Sequence, residues 1–267
     1  MAQRDVFNTG TTLAELRKVG PVVHNITNYV VMNNTANALL AVGASPVMAH
    51  AQEEMADMVA IASALVINIG TLSKEWVKSM FLAAEHAAKR GIPIVIDPVG
   101  AGATPYRTST VRELLAAVKP AIIRGNGSEI MATCGERAQT KGVDSGAASN
   151  DAVAAAKALN ESTGAVICVS GATDYIVSAS GVSKIANGHP MMTRVTGLGC
   201  TATALCGAFA AVNRTYAQAA AQAMVVMGVA GEMAAEGAEG PGSLQVRFLD
   251  ALYKLDGETI EKHIRLG

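Results

Sequence analysis

Aromatic side chains make up only 4% of the 267 residues, while half of the residues are hydrophobic. A core must therefore be filled by Ala, Val, Met and Leu, small or flexible side chains that suit helices lying close on a sheet. An excess of one charge is also missing. Lys and Arg number 21 against 22 Asp and Glu, a net charge of -1, which offers no basic field for nucleic acid or an anionic membrane. No apolar run reaches the length of a membrane span before Gly, Asn or a charge interrupts it. The opening residues, Met1-Ala2-Gln3-Arg4-Asp5, carry no apolar signal core, so a cytoplasmic protein is expected. Cys134, Cys168, Cys200 and Cys206 include no CxxC pair and have no neighbouring His, which argues against structural zinc. A chain with this much apolar material needs no disulfide framework either. Cys168 and Cys206, inside apolar runs, read as core fillers. Cys200 stands apart by its position.

That position is the stretch Thr193-Arg194-Val195-Thr196-Gly197-Leu198-Gly199-Cys200. A β-prone polar run breaks at two glycines and enters a small-residue helix. Glycines at such a junction let backbone N–H groups approach an anion, and the helix aims the positive end of its dipole at the same point. This suits phosphoryl transfer, where donors converge on phosphate oxygens. A plain tight turn into a helix fits the glycines equally.

Helices are predicted over residues 11–19, 30–42, 53–63, 73–90 and 108–119, with Ser73 as a cap and Gly91 as a stop. Between them, residues 45–48, 64–69, 92–97 and 121–124 read as strands. Apolar strands alternating with helices indicate a parallel sheet covered on both faces. Beyond them come a helix over 150–162, a strand over 165–170, a hairpin through 175–178 and 182–185, and helices over 200–212, 215–236, 241–255 and 258–264. Residues 134–149 are polar, Gly-rich and long for a bare connection, which fits a flap or lid as well as a surface loop. No linker or repeat is visible, so one domain over 1–267 is expected. The helix after Thr215 is apolar around most of its circumference. It must be buried on more than one side, against the sheet or another subunit.

Polar residues recur where these strands end, the edge at which open parallel sheets bind ligands. They are Asn68 and Thr71, then Asp97, then Arg124 with Asn126 and Glu129, then Ser170, and finally the Gly197–Gly199 pair. Asp97 can organise a divalent cation or cap its loop. Asn126 and Glu129, three apart at a helix start, can hold magnesium-bound waters or form a capping box. Arg124 leaves an apolar strand, where a guanidinium needs a partner and a phosphate is a natural one. A second polar cluster, His24-Asn25-Ile26-Thr27-Asn28, suits ligand recognition, a subunit contact or a capped loop. His24 alone is a weak catalytic candidate.

Together these motifs resemble the hydroxyethylthiazole kinase family of the ribokinase-like superfamily. The resemblance runs over nearly the full length. It rests on the His24–Asn28 cluster, Ser45-Pro46-Val47-Met48, Asp97-Pro98-Val99-Gly100-Ala101, Arg124-Gly125-Asn126 with Glu129, Val195-Thr196-Gly197-Leu198-Gly199-Cys200, and Pro241-Gly242-Ser243-Leu244-Gln245-Val246-Arg247. Their order is specific, though no single motif is. The resemblance implies an α/β, three-layer ribokinase-like sandwich with a mostly parallel central sheet and helices on both faces. It implies transfer of the ATP γ-phosphate to the hydroxyl of 4-methyl-5-(2-hydroxyethyl)thiazole, a Mg2+ requirement, and a homotrimer with active sites between subunits. Carried over by position, Met48 and Gly197 match thiazole contacts, with Asn25 in the substrate loop. Arg124 and Ser170 match ATP contacts, with Asn126 and Gly199 on the same nucleotide side. Asp97 and Glu129 match positions tied to the metal and its waters. Cys200 takes the place where most sugar and vitamin kinases carry an Asp base, a cysteine that thiazole kinases share. Its expected role is to orient or deprotonate the hydroxyl, with its pKa lowered by the helix N-terminus.

Three other readings compete. An ATP-dependent dehydratase of the same superfamily normally keeps Asp where Cys200 stands. A thiol-nucleophile enzyme would need a histidine base, and the sequence places none. A non-catalytic binder would be expected to lose Asp97, Glu129 or Arg124, and all three are present.

Overall fold

The computed structural model describes Val6, residues 8–135 and residues 145–267. Its elements run α1 (Thr9–Val19), β1 (Val22–Ile26), α2 (Met32–Val42), β2 (Ser45–Val47), α3 (Met55–Ile61), β3 (Ala64–Asn68), α4 (Lys74–Arg90) and β4 (Ile94–Asp97). They continue α5 (Pro105–Ala117), β5 (Ile122–Asn126), α6 (Gly127–Cys134), α7 (Ser145–Thr163), β6 (Val166–Ser170), β7 (Asp174–Ser178) and β8 (Gly181–Ile185). Four helices close the chain: α8 (Leu198–Val212), α9 (Tyr216–Ala235), α10 (Pro241–Lys254) and α11 (Gly257–His263). All eight strands form one sheet in the order β2-β1-β3-β4-β5-β6-β7-β8. Neighbours from β2 to β6 pair parallel, and β7 and β8 add an antiparallel hairpin at one edge. The α/β sandwich with a mostly parallel sheet is thus as the sequence led one to expect. None of the helices among the described residues is long and apolar enough to cross a membrane.

The period of two along each strand sorts side chains into two cores. Val66, Val95, Ile122 and Cys168 pack on one face with α1, α2, α8, α9 and α10. Leu65, Ile67, Ile94 and Ile96 pack on the other with α3, α4 and α5, while Ile123 and Ile167 meet α6 and α7. Cys168 and Cys206 are fully buried, as core fillers should be. Helix α9 is buried by α8, α10 and strands of its own chain, so its apolar circumference carries no information about another subunit.

Helix boundaries follow their local chemistry. Ser73 Oγ accepts from Trp76 N at the start of α4, and Gly91, at φ 67°, ends it. Helix α5 starts three residues earlier than the pattern indicates, because Thr104 caps it and Pro105 suits the first turn. The segment 134–149, read as either a flap or a surface loop, falls largely outside the described residues; the described part begins α7 at Ser145, ahead of the predicted start at 150.

Two features differ from the sequence reading. Residues 22–26 form a strand, β1, at the centre of the β2-β1-β3 pairing. Its polar His24 and Asn25 mask the strand pattern, although both are fully buried. The β-prone run before the glycines is a 3-10 turn, Pro190–Arg194, started by Pro190 and followed by extended Val195. The glycine loop therefore stands at a helix start without a strand leading into it.

Helix α8 lies deep on the sheet because of Gly207. A Cβ there would stand 2.5 Å from Val66 Cγ2, so a side chain would force Val66 or the helix to shift. Replacing Gly207 by Val should destabilise the fold by about 1–3 kcal/mol from overpacking. Urea unfolding of Gly207→Val checks this, and an unchanged midpoint would contradict the close seating of α8.

Candidate active site

The face of the sheet under α8 turns polar at the carboxyl ends of its strands. Pairing register sets Asn68 beside Asp97 and Asn126 beside Ser170, with Arg124 beside Cys168 one step lower. Alternation then points Asn68, Asp97, Arg124 and Ser170 toward α8, in line with Val66, Val95 and Ile122 below them. Asp97 is fully buried. Its Oδ2 accepts from Asn68 Nδ2 at 2.8 Å and Thr203 Oγ1 at 2.7 Å, while Oδ1 has no partner. Burial pushes its carboxyl up to about 7 and Glu129 adds to the rise, against the Arg124 guanidinium, the Thr203 hydroxyl and the Asn68 amide.

Arg124 crosses from the sheet to the helix. Its Nη1 donates to the Gly199 carbonyl at 2.9 Å and its Nη2 to Ser170 Oγ at 2.8 Å; the buried Nε has no partner. Gly197 starts α8 at φ 88°, a left-handed conformation suited to glycine, and a Cβ there would lie 2.7 Å from Val31 Cγ1. By helix geometry the amides of Leu198, Gly199 and Cys200 have no intrahelical acceptor, and they open on the same end of the sheet.

A cavity of about 680 Å³ is walled by Arg124, Ser170, Asp174 and Gly199, with Met224 and Met227 among its apolar lining. That volume suits a ligand of nucleotide size. Asp174 Oδ1 accepts from Gly171 N at 3.0 Å, and burial pushes its carboxyl up to about 6. The far wall, Asn187 to His189, is anchored by Glu232, whose Oε1 accepts from Asn187 Nδ2 at 3.1 Å and Gly188 N at 2.6 Å. The glycine loop and Arg124 thus share one cavity, with Asp97 close behind Arg124.

A model of the hydroxyethylthiazole kinase family matches residues 13–258. The chain belongs to this family. It is 62% identical over 260 residues to the hydroxyethylthiazole kinase of Syntrophus aciditrophicus, covering 97% of this chain and 96% of that protein. The solved structure of a hydroxyethylthiazole kinase protein from Pyrococcus horikoshii superposes with a TM-score of 0.90 at 42% identity, over 97% of this chain and 98% of that one. A ribokinase-like superfamily protein from Enterococcus faecalis, at 14% identity and TM-score 0.64, covers 92% of this chain and 94% of its own, and shows the shared fold. The chain is a kinase.

For a hydroxyethylthiazole kinase family member, the sequence-predicted residues fall into three groups. Asp97, Arg124, Ser170, Gly197, Gly199 and Cys200 come together around the start of α8. Asn126 and Glu129 bond to each other. Asn126 Oδ1 accepts from Glu129 N, and Glu129 Oε2 accepts from Asn126 N, both at 2.9 Å, which is a complete capping box. Glu129 Oε1 also accepts from Gly100 N at 2.9 Å. Asn25 and Met48 lie apart, at the β1–β2 end. Asn25 Nδ2 turns back to Val23 O, and its buried Oδ1 has no partner. His24 is buried, held through Nε2 to Ala49 O at 2.9 Å, with its pKa lowered by burial, so it is a neutral structural imidazole.

Cys200 departs from expectation in its acidity. The helix N-terminus was expected to lower its pKa, yet burial pushes the thiol up to about 11. The Asp97 carboxylate adds to the rise, and the Asn68 and Asn28 amides offset it only in part. Loss of solvent is the largest cause, and the amide and guanidinium neighbours do not offset it. Several participants carried no distinctive sequence mark. Thr203 could have been found as the residue one turn after Cys200. Arg107, whose guanidinium reaches the carbonyls of Ile69, Gly70 and Val99 at 2.7–2.9 Å, had no such signal.

A thiol titrating that high is protonated at neutral pH, and only the thiolate reacts with alkylating agents. Peptide-resolved iodoacetamide labelling of Cys200 should accelerate about tenfold per pH unit from pH 7.5 to 9.5. A plateau below pH 9 would show a thiol of ordinary or lowered pKa.

Proposed function

We propose that this protein transfers the γ-phosphate of ATP to the hydroxyl of 4-methyl-5-(2-hydroxyethyl)thiazole, forming the thiazole phosphate of thiamin biosynthesis or salvage. The observation that carries this reading is the common wall formed by Arg124 and the first turn of α8, with Cys200 at the same turn. In this reading Arg124, Ser170, Asn126 and Gly199 hold the nucleotide, and the first-turn amides receive charge on the migrating phosphoryl group. Asn25, Met48 and Gly197 line the thiazole side.

Magnesium fits the donors present. Asp97 offers a buried carboxylate oxygen with no protein partner, and each Glu129 oxygen retains a lone pair beyond its amide contact. Two carboxylates suffice for an ion that takes its remaining ligands from water and phosphate. Bound there, it would neutralise charge on the phosphate oxygens. Cys200, a thiol at neutral pH, positions the substrate hydroxyl by hydrogen bonding, and the hydroxyl proton leaves late to an oxygen of the transferred phosphoryl group, since a loose transition state asks little of a base. Tyr29 and Val30, in the connection after β1, and Leu40, on α2, are exposed. Their cover in a homotrimer, with sites between subunits, accords with this reading, and use of ATP accords with a cytoplasmic enzyme.

Incubation with Mg-ATP and a panel of thiazole, pyrimidine and sugar alcohols should give phosphorylated thiazole as the main product by mass. Predominant phosphorylation of another alcohol would overturn the assignment. In steady-state assays Arg124→Ala should cost more of kcat/KM than Cys200→Ala, and Cys200→Asp should stay within about tenfold of wild type. The reverse ranking would defeat this division of labour.

A further inference from the structure

Two buried asparagines outside the residue set above connect its two anion-prone groups. Asn28, just after β1, and Asn68, at the end of β3, are both buried. Asn28 Oδ1 accepts from Val30 N at 3.1 Å, and Asn68 Oδ1 accepts from Gly70 N at 2.9 Å. A main-chain amide can only donate, so each carbonyl end is fixed and each NH2 end must face the other way. Asn28 Nδ2 therefore donates to Asn68 Oδ1 at 2.8 Å and lies 3.5 Å from Cys200 Sγ. Asn68 Nδ2 donates to Asp97 Oδ2 at 2.8 Å. The result is a directional row of donors that ends on the sulfur at one side and on the carboxylate at the other.

We propose that Asn28 and Asn68 are positioning residues for the phosphoryl transfer, a two-amide relay that fixes Cys200 Sγ relative to the Asp97 carboxylate. The Asn28 amide donor would be satisfied by the Asn28–Asn68 bond alone, so its contact onto the sulfur goes beyond that need, while Asn68 Nδ2 takes the Asp97 carboxylate as its acceptor. Gly70 makes room for the relay, because a Cβ there would meet Asn28 Nδ2 at 2.5 Å. Arg107 steadies it from behind by binding the Gly70 carbonyl at 2.7 Å. With Asn68 and Thr203 both on Oδ2, the unpartnered oxygen of Asp97 has one fixed orientation. A reacting group held this way loses rate when its holder is removed, while ligand binding changes little.

This inference rests on Cys200 facing the substrate hydroxyl, and the test separates the two ideas. In the full-length enzyme Asn28→Ala should lower kcat about tenfold or more, with KM for ATP and for the thiazole within about threefold. In the Cys200→Ala background the same change should lower kcat by less than about threefold. Asn28→Ser keeps a hydroxyl for the Val30 amide but cannot reach the sulfur. It should melt close to wild type and show the same fall in kcat, which covers the case where Asn28→Ala fails to fold. Wild-type kcat in Asn28→Ser, a change confined to KM, or an equal loss with and without Cys200 would each overturn the relay while leaving the Cys200 assignment in place. An unchanged kcat for Cys200→Ala alone would remove both.

Discussion

The arrangement depends on how deeply α8 sits on the sheet. Gly207 lets the helix backbone approach Val66 closely enough that a Cβ would stand 2.5 Å from its Cγ2. One turn earlier, that approach brings Thr203 to the Asp97 carboxylate, and another turn earlier it brings Cys200 to Asn28. At the start of the helix, the Gly199 carbonyl comes within reach of Arg124. Residues 199, 200, 203 and 207 recur at helical spacing, so one close contact sets the height of the whole site.

Its electrostatics follow from this seating. Asp97 and Arg124 are buried and Cys200 is half-buried beside them, a layer in which Coulomb interactions are strong and solvation is reduced. Desolvation pushes the carboxyl and the thiol upward together, and the carboxylate pushes the thiol further. Two anions so close resist being charged at once, which gives the guanidinium, and any cation bound nearby, a large part in deciding which group is ionised. A cysteine suits this layer because it can stay neutral where a second carboxylate would add charge.

Much of the fold was legible in the sequence, since apolar strands alternating with capped helices leave few topologies. Leu65, Ile67, Ile94 and Ile96 carry that signal directly. Strand β1 was not legible, because His24 and Asn25 are polar residues that only tertiary structure buries. The glycine loop was legible as a helix start, while the 3-10 turn before it read as β-prone. In the site, Asp97, Arg124 and Cys200 could be singled out by where they stand relative to strand and helix ends. Asn28 and Arg107 matter through whom they touch, which spacing along the chain does not reveal, while Asn68 stood out only as a polar strand end and Thr203 only as the residue one turn after Cys200. The acidity of Cys200 was misread for a related reason: a dipole can be inferred from a helix start, but the exclusion of water cannot.

Glu129 has a consequence of another kind. One of its oxygens is committed to the amide of Gly100, in the connection after β4, and the other to Asn126, at the head of α6. The carboxylate thus acts as a pin through two neighbouring segments, and neither can shift without carrying the other. Any rearrangement that accompanies the arrival or departure of a nucleotide on this side must move them as one rigid piece, or leave both where they are.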